Sequence, residues 1–284
     1  MTKLVLQRFG EISGGDVKGI VSVIEECYKR LMPHEVKILD LLLFKSSSVM
    51  NGFFSSERAA VGIISEDFGE RFFARHDAWR GTPRIAICLE RMKGLSELLQ
   101  VGILRHEVGH SVLHGSMEYY MFSIPPPLMK ASEMFGISKQ FSFNLLYLIS
   151  IAVKDFEVTR LLLDKGYIED QIAYSKYMLS TSKEDLATWR IAGGDPAAMA
   201  LCLAGQLKDT ACSIALRSRL GESKIAKWMK DELSYLSEKI FANTLNIVSK
   251  FPQAMAGNTF ENVDAAVSIF VGDVLEPLFC SKYD

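Results

Sequence analysis

Apolar positions along the chain change their period near residue 90. Val17, Ile20, Val21, Ile24, Cys27, Tyr28 and Leu31 recur at helical spacing, with Asp16 placed to cap that helix and Pro33 to end it. The run from Val36 to Phe44 is nearly continuous in apolar residues and predicts a buried strand, and the Ser/Gly-rich stretch from Lys45 to Glu57 predicts a loop. Val61–Ser65, Arg71–Arg75 and Arg84–Leu89 read as short strands, Pro83 sitting at the entry to the last, where a missing backbone donor is tolerated.

From Lys93 the period becomes helical through Leu113, with Gly115 available as a stop. A loop follows that holds Tyr119, Tyr120 and three consecutive prolines, Pro125 to Pro127. The next helix spans Lys139 to Asp164 and is closed by Gly166. Beyond it everything reads as helix, punctuated by Ser182-x-x-Asp185 and by Asp195-Pro196, a cap residue followed by proline at the first helical position. A long amphipathic stretch runs from Lys224 to Lys250 and stops before Pro252, and the last helix follows Thr259 and ends near Pro277. The order, a helix, a few strands and then only helices, predicts an α+β fold with a mostly helical C-terminal half. Residues 1–165 form the expected core, and residues 166–284 a helical region packed on it.

Composition narrows the function classes. The chain has 284 residues, 49% of them hydrophobic, enough for a sizeable core. A net charge of −2 without a basic block argues against nucleic-acid binding. The most apolar run, Phe141 to Val153, is 13 residues long and interrupted by Asn144 and two serines, against ~20 for a bilayer span. The apolar stretch of MTKLVLQRFGEISGGD is too short for a secretory signal. Five scattered cysteines with no CxxC pair suit free thiols in a reducing compartment, so the expectation is a cytoplasmic protein.

The chemistry concentrates in residues 106–110, His-Glu-Val-Gly-His. Two histidines four apart on a helix project their imidazoles from one face and can share one zinc ion, one per chain. Glu107 can reach a metal-activated water without ligating the metal and so serve as general base. The motif lies on a helix predicted independently from Leu95, Leu98, Leu99, Ile103 and Leu113. On these residues the chain resembles the zincin metallopeptidases over roughly Asp16 to Asp164. That resemblance implies a small antiparallel sheet packed on the metal-site helices, a second helix supplying a third ligand, and a peptide or protein substrate. It also implies that the strand before the motif helix, Arg84–Leu89, is a sheet edge to which extended substrate adds.

His114 continues the four-residue series, but on an unbroken helix it lies ~12 Å along the axis from His106, too far to share one ion. A wall of the site or a C-terminal cap suits it better. The third ligand is sought on the second helix, at Asp155 or Glu157. Leu148, Ile151, Asp155, Val158 and Leu162 form one apolar stripe, which turns Asp155 inward, with Thr159 four residues on to support it. Glu157 shares a face with Ser150, Lys154 and Arg160, as on a solvated surface, although the gluzincin branch of the family uses a glutamate. His114, Tyr119 and Tyr120 are candidate donors to a developing oxyanion or residues of the cleft. His76, with Asp77, Trp79 and Arg80, reads as a polar loop at the cleft, and His34 as surface. Two functions follow. One is a zinc-dependent metallopeptidase; the other is a metal-binding regulatory or scaffold protein of the same fold with little turnover.

Overall fold

The computed structural model describes residues 2–60 and 73–280. The expected strand at Val61–Ser65 and the first two residues of the one at Arg71–Arg75 lie outside them. The chain divides into two compact units, Met1–Tyr120 with Leu161–Tyr174, and Met121–Arg160 with Ser175–Asp284.

The first unit opens with β1 (Lys3–Phe9), α1 (Gly14–Arg30) and β2 (Ile38–Phe44). The residue that caps α1 is Ser13, whose hydroxyl accepts from the Asp16 N–H; Asp16 itself lies in the first turn, where its charge favours the helix dipole. The Ser/Gly-rich stretch is not a loop but a helix, α2 (Ser47–Ala59), started by Ser46 and folded because Met50, Phe54 and Glu57 fall on one buried face. Next come β3 (Ala74–Asp77), β4 (Arg84–Cys88), the short α3 (Leu89–Met92) and α4 (Glu97–Leu113).

The strands form one sheet in the order β1-β2-β4-β3. The α+β class and helical C-terminal half are as expected, but the sheet is mixed rather than antiparallel. β1, β2 and β4 run parallel, because helical crossovers join them, and only β3 is reversed. On one face Leu42, Phe44, Ala86 and Cys88 pack with Met50 and Phe54 of α2, and Phe9 stacks on Phe44 with ring centroids 4.6 Å apart. The alternate residues Leu41, Leu43, Ile85 and Ile87 turn to the other face, where α4 contacts β3 and β4 and α1 contacts α4. β4 is buried at every position between β2 and β3, so it cannot be the substrate-binding edge. Among the described strands the edges are β1 and β3.

Two polar clusters tie this unit together, the first of them buried. Arg84 gives two hydrogen bonds to Glu57 at 2.8 and 2.7 Å and one to Asp77 at 2.6 Å. Burial works against its charge, but these carboxylates outweigh burial and hold the guanidinium above its ordinary range. Arg105 bridges Asp170 and Glu26 at 3.1 and 3.2 Å while stacking over Tyr167.

α5 (Pro126–Phe135) and α6 (Lys139–Asp164) follow, then α7 (Glu169–Leu179); α6 and α7 each supply residues to both units. Gly166, at φ 83, closes α6, and the Tyr167 N–H returns to the Leu162 carbonyl at 3.0 Å. In the second unit α8 (Lys183–Ala192) carries the expected capping box of Ser182 and Asp185, and α9 (Pro196–Ala215) starts on Asp195 with proline in its first turn. After α10 (Arg217–Leu220), the stretch expected to be continuous is broken into α11 (Glu222–Glu232) and α12 (Glu238–Ala254), the latter taking Pro252 into its last turns. α13 (Thr259–Phe270) passes through a π-helical turn, Val271–Leu275, into α14 (Glu276–Cys280). No helix among the described residues is long and apolar enough to cross a membrane.

Candidate metal centre

α4 is built to hold its side chains in fixed positions. Ser96 caps its start by accepting from the Leu99 N–H, and Gly102 lets α7 approach so closely that a Cβ would sit 2.6 Å from the Asp170 carbonyl oxygen. Near its end, Ser111 donates to the Val108 carbonyl at 2.7 Å and meets the Tyr28 hydroxyl of α1 at 2.6 Å. Between these anchors His106 and His110 turn to the same side, their Nε2 atoms 3.1 Å apart. Two imidazole nitrogens bound to a tetrahedral zinc ion at about 2.0–2.1 Å stand ~3.3 Å apart. The pair is therefore spaced as the chelate requires, and neutral imidazoles are the donors such an ion takes. Glu107 is buried on the same helix, 8% exposed.

Four further residues of the first unit gather at this end of α4. His76, read from sequence as part of a polar loop, lies on β3 opposite Ile85, hence on the face that α4 covers. Its ring lies parallel to that of His110, with centroids 6.1 Å apart. Tyr120, in the 3₁₀ turn Met117–Tyr120, brings its hydroxyl 3.1 Å from His76 Nδ1. Its phenol is raised above the ordinary range, first by burial and then by the negative charges of Asp77 and Glu107, a little offset by Arg75. Tyr119 stands edge-on to His114 at 5.3 Å. His114 is the C-cap residue of α4, its backbone N–H bonded to the His110 carbonyl. All five of the chain's histidines lie in this unit, and four of them meet at this end of α4. The fifth, His34, is half-buried against Tyr28.

The two acids of α6 differ in environment, though not as expected. Glu157 is not on a solvated surface. It is buried, accepting from Asn262 Nδ2 at 2.5 Å and from the Thr259 hydroxyl at 2.8 Å. Residues far along the chain cover its helical face, which local periodicity cannot report. Asp155 is buried with Thr159 and faces α9, where its negative charge acts on Lys208 and on Cys212 one turn later. The Cys212 thiol is raised well above its ordinary value by burial, then by Asp155, with the Thr159 hydroxyl opposing.

Comparison with protein-family models, with curated proteins and with solved structures finds no match. The assignment therefore depends on the chain's own geometry. Within the second unit, ligand atoms of Asp155 and Cys212, both buried, lie within 4.8 Å of each other. Cys212 was not a candidate on sequence, because it falls at core spacing on α9 with no second cysteine or histidine nearby to mark it. His76 had a weak signal, since its strand places it in cross-strand register with an apolar residue.

Proposed function

We propose that this chain is a zinc-dependent metallopeptidase of zincin type that hydrolyses peptide bonds, with His106, His110 and Asp155 as ligands and Glu107 as general base. The observation that carries this reading is the 3.1 Å approach of the two Nε2 atoms, with Glu107 on the same helix. A bound zinc ion would supply a Lewis acid that brings the pKa of the attacking water to about 7. Glu107 takes the proton of that water and returns it to the leaving amine nitrogen. Tyr120, its hydroxyl held against His76, is the donor for the carbonyl oxygen as negative charge develops there. The bonds that Glu157 makes to Thr259 and Asn262 favour Asp155 over it as third ligand. Five free cysteines support a reducing, cytoplasmic setting, and a net charge of −2 supports a peptide or protein partner over nucleic acid.

The test is Glu107→Gln, which keeps shape and removes the basic site. The variant is expected to fold, retain zinc and lose cleavage of a mixed peptide library by at least ~100-fold. Unchanged cleavage would sink the mechanism.

A second reading, a metal-binding regulatory or scaffold protein with little turnover, is favoured by Cys212. Its sulfur lies within 4.8 Å of an Asp155 carboxylate oxygen, and a fourth protein ligand would close a zinc site to water. Cys212→Ser separates the two. Activity that appears only in this variant supports the closed site, and equal activity with and without the thiol supports the open one.

A further inference from the structure

The His110 ring uses both of its nitrogens. Its Nε2 faces His106, and its Nδ1 lies 3.3 Å from Nδ1 of His114. These are different edges of the ring, so His114 lies beyond the edge that faces His106. It is well fixed there. The residue is fully buried, its backbone N–H is bonded to the His110 carbonyl at 2.7 Å, and the Tyr119 ring packs edge-on against its imidazole.

Two neutral imidazole nitrogens at this separation can share only one proton. If His110 is to present a lone pair at Nε2, its proton must reside on Nδ1. The acceptor for that proton is then Nδ1 of His114, whose own proton is on Nε2. We infer that His114 is a positioning residue: it accepts the Nδ1–H of His110, fixing the tautomer and ring angle that aim Nε2 at the metal. Histidine ligands commonly give their second N–H to a carboxylate or a carbonyl; here the C-cap residue of the same helix does that work, one turn on. The inference rests on the proposed metal site, and it gives His114 a role distinct from ligand or oxyanion donor.

The test compares His114→Asn, whose side-chain oxygen can stand near the lost Nδ1, with His114→Leu, which keeps bulk without an acceptor. Zinc affinity is measured on the full chain by competition with a chromophoric chelator, and folding by thermal melting. The leucine variant is expected to lose zinc affinity by ~10–100-fold, and the asparagine variant to recover most of the loss. Nitrogen-15 NMR of the zinc-loaded chain is expected to find His110 protonated at Nδ1 and His114 at Nε2. Leucine and asparagine variants that bind equally well or equally badly overturn the inference, as does a His114 protonated at Nδ1 in the loaded chain. If the unaltered chain takes up no zinc, the metal reading fails and this inference with it. Tight binding by the leucine variant removes the inference alone.

Discussion

The hydroxyls of Tyr28 and Ser111 meet at 2.6 Å in the interior, joining α1 to the helix that carries His106 and His110. Ser111 also donates to the Val108 carbonyl, so its proton is committed and Tyr28 is the donor of the pair. The two partners are therefore unequal. Tyr28→Phe removes one donor and leaves Ser111 bonded, at a cost of ~1 kcal/mol. Ser111→Ala strands a buried phenol and is expected to cost ~1–3 kcal/mol. Urea denaturation of both variants gives the ranking, and a costlier Tyr28→Phe would contradict this donor assignment.

Much of this arrangement was legible in the sequence, and the rest was not for identifiable reasons. Local signals carried far. The capping box at Ser182 and Asp185, the Asp195-Pro196 start and Gly166 at the end of α6 all depend on neighbours a few residues away. α2 was missed because serines and glycine outweighed the spacing of Met50, Phe54 and Glu57, whose burial against the sheet makes the helix. Glu157 looked solvated because its cover, Thr259 and Asn262, lies some 100 residues on. The histidine pair was visible from spacing alone. His76 became visible only with the β3–β4 register, and Cys212 only with α9 in place. Nor does periodicity report that α6 and α7 are each divided between two units.

Glu57 holds two arginines of very different worth. Arg84 is 6% exposed in its side chain and Arg80 52%, at 2.7 and 3.1 Å from the same carboxylate. Arg84→Ala leaves Glu57 and Asp77 charged and buried, and is expected to cost ~3–5 kcal/mol. Arg80→Ala removes a screened pair and should cost less than ~1 kcal/mol. Denaturation midpoints that move equally would mean that burial does not decide the strength of this cluster.

Cys27 gives the fold an alkaline limit. Burial pushes its thiol from 9.0 up to about 12, against a hydrogen bond with Tyr167. Below the ordinary value both folded and unfolded chains keep the proton, and the thiol's contribution is fully present. As pH rises from 9 toward 12 the unfolded chain loses the proton first, so stability falls. Melting temperature is expected to drop across the lower part of that window, and less steeply in Cys27→Ala. At pH 8, a thiol reagent is expected to modify exposed Cys280 well before Cys27. Rapid labelling of Cys27 in the native chain would contradict its burial.

The acids of α6 offer the sharpest separation of metal from scaffold. Asp155 lies within 4.8 Å of the Cys212 sulfur, another possible ligand, whereas Glu157 already accepts from Asn262 and Thr259. Asp155→Ala is therefore expected to weaken zinc binding by at least ~100-fold, about 2.7 kcal/mol. Its effect on the metal-free fold should be smaller, and Lys208 of α9, whose cationic form Asp155 favours, is the group that would feel it. Glu157→Ala should do the reverse. Zinc affinity stays within a few-fold, while the fold loses ~1–3 kcal/mol because buried donors lose their acceptor. Zinc titration and thermal melting on both variants read the two effects separately. If Glu157→Ala releases the metal and Asp155→Ala does not, Glu157 is the ligand. Asp155 is then a buried partner of Lys208, and the inward stripe on α6 says nothing about the metal.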